Sequence, residues 1–171
     1  MREINIIGCG SSAADWNGQG ESIGVNDCWK YGNATDYLLI VNSANKFTPE
    51  RLEIIKHSRP KMTFSHLGEW RDIVPSNFQL ISINRWNGQL MTGHIHHAET
   101  SPFVAMSWAY RQGYNKMILW GVDFVDHWCY NPKLPTEDYG REVKCYKELF
   151  DCLRLKGIEI EVNEYSNLRA L

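Results

Sequence analysis

Residues 99–124, ETSPFVAMSWAYRQGYNKMILWGVDF, decide the fold. They read as a turn of small residues, an amphipathic helix, a buried strand, and a glycine–acid pair where that strand ends. Ser101 suits the N-cap, and Pro102 at the first helical position loses nothing, because its missing N–H would have had no partner. Phe103, Met106 and Tyr110, with Ala105 and Ala109, form the face to be buried, and Gly113 stops the helix. Met117, Ile118, Leu119 and Trp120 then make an apolar run suited to a central strand. A hydroxyl-bearing helix start beside Gly121 and Asp123, at a strand's carboxyl end, is a place for an anionic ligand such as phosphate.

The same alternation runs outward in both directions. Strand-like runs fall at residues 3–8, 22–26, 37–42, 61–65, 78–83, 116–121 and 158–162, and helical patterns at 48–57, 102–112 and 137–156. Thr48 followed by Pro49 marks one helix start. Glu142, Tyr146, Leu149, Phe150, Leu153 and Leu155 mark the apolar side and flank of the last helix, which Gly157 ends. Strands alternating with helices predict one α/β, Rossmann-like domain over residues 1–171, with a mostly parallel sheet of about seven strands and helices on both faces. Two irregular segments, 84–100 and 123–135, follow strands and so sit where such folds bind ligands.

Composition narrows the classes. The chain is 43% hydrophobic and 22% charged with net charge −2, which gives no electrostatic footprint for nucleic acid or an anionic membrane. No apolar run approaches the roughly 20 residues of a membrane span, and no apolar signal block opens the chain. Cys9, Cys28, Cys129, Cys145 and Cys152 are odd in number and contain no C-x-x-C pair, so a reduced, cytoplasmic protein is expected. Seven Trp are unusual for this length, and amphipathic aromatics in loops often stack on sugars or bases.

Several groups carry candidate chemistry. Gly8-Cys9-Gly10-Ser11-Ser12-Ala13 follows the first strand and fits G-x-G-x-x-A, and Asp27 stands where a dinucleotide fold keeps its ribose-binding acid. The stretch from Ala13 to Ser22, broken by Gly18 and Gly20, leaves little room for a crossover helix. A glycine turn presenting backbone N–H groups to another nucleotide therefore competes with an NAD-dependent oxidoreductase. Without a Walker lysine there is no P-loop. Asn26 and Asn42, with Ser43, end two strands with groups able to meet a ribose or base. His94 and His96 on one face of an extended segment, with Glu99, have the spacing of a zinc pair, but no cysteine completes the set. Asp123, Asp126 and His127 form a polar cluster in which His127, with an ordinary pKa of about 6.5, suits a general base. The hydroxyls of Tyr130 and Tyr139 suit a leaving phosphate in place of a cation.

These blocks resemble, in order and spacing, the bacterial sialyltransferases that use CMP-sialic acid, and the wider DUF115-like group. Residues 6–12 resemble the G-N-G-P-S donor loop, Gly24-Val25-Asn26 the second-strand C-N element, and Val41-Asn42-Ser43 the third-strand Y-N-P-S. Thr100-Ser101, Gly113-Tyr114 and Gly121 to Phe124 are similar to the T-S-G, G-Y and G-I-D-F block, and Asn163 with Ser166-Asn167-Leu168 to the closing turn. The resemblance implies a GT-A-like domain that needs no metal or resident cofactor. It would transfer a sugar from a nucleotide-sugar, a CMP-sugar first, to an acceptor hydroxyl with inversion, a histidine acting as base. Nucleotide contacts are implied at Gly8, Cys9, Gly10, Ser11, Ser12, Asn26, Asn42, Ser43, Thr100 and Ser101, and phosphate contact at Tyr130.

The departures are equally specific. Cys9 replaces an Asn, Pro102 replaces the Gly of T-S-G, Val125 replaces a phosphate tyrosine, and no histidine precedes the last helix. His127 instead resembles the histidine that animal sialyltransferases place after their own small-residue motif. The lid-like loop at 123–136 is short, so the acceptor site is small, open, or shared with a second subunit. A glycan is the expected acceptor, a modified DNA base a less favoured one given the charge. A catalytically inactive nucleotide-binding module on the same scaffold is the rival reading.

Overall fold

A computed structural model of the chain describes residues 1–32, 34–74, 76–98, 100–124 and 140–171. Seven strands form one fully parallel sheet: β1 (Glu3–Ile7), β2 (Ser22–Val25), β3 (Tyr37–Ile40), β4 (Met62–Ser65), β5 (Asn77–Leu80), β8 (Lys116–Trp120) and β9 (Glu159–Val162). Their order is β5-β4-β3-β2-β1-β8-β9. The seven strand-like runs of the sequence are these seven strands. The central β1 carries Ile4, Ile6 and Ile7, all fully buried, as a strand covered on both faces must. The edge strands β5 and β9 are polar and mostly exposed.

The chain lays β1 to β5 outward in one direction, then returns to place β8 on the other side of β1. The return runs through a feature the sequence reading left irregular: β6 (Asn84–Arg85) and β7 (His96–His97) pair as a small parallel ribbon. Strand order therefore reverses between β1 and β8, and ligands of open α/β sheets bind outside the carboxyl ends at such a point.

Among the described residues three α-helices connect the strands. In α1 (Pro49–His57) the Thr48 hydroxyl accepts from Arg51 N at 3.5 Å, as the Thr-Pro start implies. The helix α2 (Ser101–Arg111) begins one residue earlier than expected, with Thr100 at the N-cap and Pro102 at the second position, where its missing N–H is still harmless. It is buried almost all round, packs on β1, β2 and β3, and sets Trp108 against Phe64 at 4.9 Å and Tyr37 at 5.5 Å. Gly113 closes it with φ 81°. The last helix, α3 (Gly140–Leu155), buries Tyr146, Leu149, Phe150 and Leu153, whereas Leu155, expected on its apolar flank, is 87% exposed. Among the described residues no helix is long and apolar enough to cross a membrane.

Candidate functional site

The reversal point is tied by hydrogen bonds between the loop after β1 and the end of β8. Gly8 N donates to Trp120 O at 2.7 Å and Gly10 N to Gly121 O at 2.8 Å. Ser12 N donates to Asp123 Oδ2 at 3.0 Å, the Ser12 hydroxyl donates to Asp123 Oδ1, and Gly121 N donates to Ser12 Oγ at 2.9 Å. A Cβ on Gly8 would strike the Gly121 carbonyl, and one on Gly10 the Asp123 carboxylate. The glycines of G-x-G are thus required for the close approach of this loop to Gly121 and Asp123, which is a different reason from the approach of a phosphate.

This closes part of the loop to a ligand. The amides of Gly8, Gly10, Ser12 and Ala13 all have internal acceptors, and residues 11–15 turn as a short 3-10 helix. Ser12 is 4% exposed and Asp123 2%, so the acid placed among the reacting groups by its sequence position braces the loop instead. Cys9 points inward with its thiol 3.3 Å from Val25 O, and burial, then the Asp27 charge, pushes that thiol well above its ordinary pKa. Of the loop's site candidates only Ser11 is exposed.

A second group gathers beside it. Asn26 follows β2 with φ 52°, a left-handed conformation that Asn tolerates better than most side chains. Its Nδ2 donates to Ser101 Oγ at 3.0 Å, joining the end of β2 to the first turn of α2 across 75 residues. Ser101 Oγ accepts this bond and keeps its own proton to give. Asn26 Oδ1 is buried without a hydrogen-bond partner, an acceptor awaiting a donor. Thr100 Oγ1 lies 2.8 Å from the Tyr146 hydroxyl, whose pKa burial pushes up, so that link is a neutral hydrogen bond. Beyond the end of the adjacent β3, Asn42 is exposed and its carbonyl accepts from Trp70 Nε1 at 2.9 Å, while the Ser43 hydroxyl bonds Asn45 within its own turn.

Asp27 faces the other way. It is completely buried and takes Nε and Nη2 of Arg51 at 3.0 and 2.7 Å. A dinucleotide site would need a regular helix after Gly10 and Asp27 open to a ribose. The structure has a 3-10 turn and a buried ion pair in their place. The zinc spacing also dissolves: His96 is fully buried, accepting from Met91 N at 3.2 Å, while exposed His94 lies 2.6 Å from Asn84 Nδ2. No metal-binding group of three appears among the described residues. His127, Tyr130, Val125, Asp126 and Tyr139 lie outside the described residues. So does Glu99.

Sequence reasoning missed Arg51, His66, Arg85 and Arg141. Arg51 had a signal, an arginine in the first turn of a helix packed beside a strand-ending acid. The other three come together only through the topology.

No family model matches the chain, the DUF115-like group included, and no curated protein matches it by sequence. Among solved structures the chain is similar to the sialyltransferase CstII of Campylobacter jejuni bound to the substrate analogue cytidine-5′-monophosphate. That match has 14% identity and a TM-score of 0.54, and covers 99% of this chain and 83% of the other. A second structure of CstII, bound to CMP-3FNeuAc, matches at 13% identity with a TM-score of 0.52, over 95% of this chain and 81% of that one. The α/β architecture is the one these GT-A-like sialyltransferases use.

Proposed function

We propose that this chain is a glycosyltransferase-like protein that binds a nucleotide-sugar, a CMP-sugar first, and transfers the sugar to an acceptor hydroxyl without a metal. The observation that carries the reading is the Asn26–Ser101 pair beside the point of strand reversal. There a partnerless amide oxygen and a hydroxyl with a proton to give are joined at the start of an 11-residue helix. The fold shared with an enzyme whose structures hold CMP and a CMP-sugar supports the same reading.

In this reading Asn26 and Ser101 hold the nucleotide, with Asn42, Ser43, Thr100 and exposed Ser11 at its margin. Asp123 and Ser12 keep the floor rigid, and Gly121 lets the loop after β1 approach closely. His127 removes the acceptor proton, the freed oxygen attacks the anomeric carbon, and Tyr130 donates to the departing phosphate. Inversion follows from a single displacement.

A thermal-shift panel of CMP, UDP, GDP, ADP, their sugar conjugates and NAD tests this. Saturation to about 100 times Kd adds about 2.7 kcal/mol, a readily visible shift. CMP and a CMP-sugar are expected to stabilise, the conjugate more than the bare nucleotide. Response to bare nucleotides alone would favour the inactive binding module, and response to NAD alone would refute the proposal.

A further inference from the structure

A cleft of about 530 Å³ opens at the carboxyl ends of β3 and β4, walled by the β6–β7 ribbon and the first turns of α3. Its described lining holds Arg85 and Arg141, His66 and His97, and no carboxylate. The two arginines stand out in a chain with 20 acidic residues against 18 Lys and Arg, the Glu148 carboxylate behind them being engaged by Trp86. Arg85 and His97 are register partners in the ribbon and leave it on the same side. Arg85 has no ion pair among the described residues. His66 Nδ1 is buried without a partner, and burial, then the neighbouring His97, holds its pKa below the ordinary value. His66 is therefore a neutral polar group beside the arginines.

The indole of Trp86 completes the wall and is held firmly. Its Nε1 donates to Glu148 at 2.9 Å, and its ring meets Phe103 at 5.3 Å and His96 at 5.5 Å, both edge to face. A half-buried aromatic already fixed by its neighbours loses little freedom when a sugar ring lies on it. The cleft also reaches Val41 and Ala98, which neighbour Asn42 and Thr100 along the chain, on the side of the proposed nucleotide residues.

We propose that this cleft is the acceptor site and that the acceptor is an acidic sugar, its carboxylate paired with Arg85 and its ring lying on Trp86. The assignment rests on the glycosyltransferase reading above. A guanidinium matches a carboxylate through two parallel N–H bonds, a match that a neutral sugar cannot use. A small inorganic anion would use the arginine but not the indole. The volume lies within the range of small-ligand pockets, about 300–1,000 Å³, and admits a saccharide rather than an ion.

The test is an NMR titration of the CMP-saturated protein with methyl β-D-glucuronide and methyl β-D-glucoside, which differ only in carboxylate against hydroxymethyl. The glucuronide is expected to bind about tenfold more tightly, as one charge-assisted hydrogen-bonded pair provides. Arg85→Gln, at an exposed ribbon position, should erase that preference and leave CMP affinity unchanged. Equal binding of the two glycosides, binding of neither, or a preference that survives Arg85→Gln overturns the proposal. So does an Arg85→Gln variant that weakens an acidic CMP-sugar while leaving the glucuronide untouched, which would assign the charge to the donor. A chain that ignores CMP yet keeps an Arg85-dependent glucuronide preference would refute the nucleotide-sugar reading and leave the acidic-sugar cleft standing.

Discussion

Replacing Arg51 with methionine keeps most of the buried stem and removes the charge that faces Asp27. The Asp27 side chain is 0% exposed and that of Arg51 7%, so no water can take the guanidinium's place. Breaking such a pair from one side leaves an uncompensated buried charge and costs about 3–5 kcal/mol. The contact of the guanidinium with the Phe47 ring at 4.7 Å is lost with it. For a chain of this size each kcal/mol lowers Tm by about 2–4 °C, so a fall of about 6–20 °C is expected. The assay is urea unfolding, with a thermal scan as a second probe. Adding Asp27→Asn to Arg51→Met should recover more than half of the loss, because the residual buried group is then neutral. A single variant within about 1 kcal/mol of the unmodified chain would refute the argument. It would mean that Asp27 is reached by water, as a ribose-binding acid would be, and would reopen the dinucleotide reading.

Ser101→Ala and Asn26→Ala should each weaken CMP binding by about 1–3 kcal/mol, read by calorimetry; unchanged affinity in both would remove the site from these residues. His127→Ala should abolish transfer while leaving nucleotide affinity nearly intact, and normal turnover would dismiss it as the base. Added chelator should not change the rate, whereas a loss restored by zinc would return attention to His94. Acid should destabilise the fold through His66 and His96. Burial first, then His97 and His94 respectively, depress their folded pKa values. Their contribution is present above the unfolded value of about 6.5 and is lost as pH falls through the lower folded values. Unfolding between pH 7.5 and 5.5 should show stability falling, and falling less in His96→Gln; a flat profile would contradict the burial argument.

The strands were legible because each is a short apolar run bounded by turn residues, and central parallel strands tolerate no other pattern. The ribbon was not, since two-residue strands at Asn84 and His96 carry no period. The place of the glycine loop after β1 was legible, its orientation only in part. Cys9 lies two residues beyond Ile7, so strand alternation carries it to the same buried side, while the glycine motif suggested an open loop. Asn26 could be singled out as a strand-ending amide able to donate and accept, but its positive φ and its bond to Ser101, which spans 75 residues, follow only from the fold. The arginine cleft left no trace, because its described lining comes from five separate segments and no local spacing encodes them.

The pairing of β1 with β8 also has a consequence in time. Ser12 and Asp123, which close the reversal point, are 111 residues apart. At about 5–20 residues per second, the first strand leaves the ribosome roughly 5–25 s before its second neighbour exists. During that interval β1 can gain β2 to β5 on one side only, and its other edge, bearing Ile4, Ile6 and Ile7, stays open. The reversal point thus closes only after most of the chain has been made, and a nascent or truncated chain lacking residues 116–120 would present a sticky sheet edge to chaperones rather than a closed sheet centre.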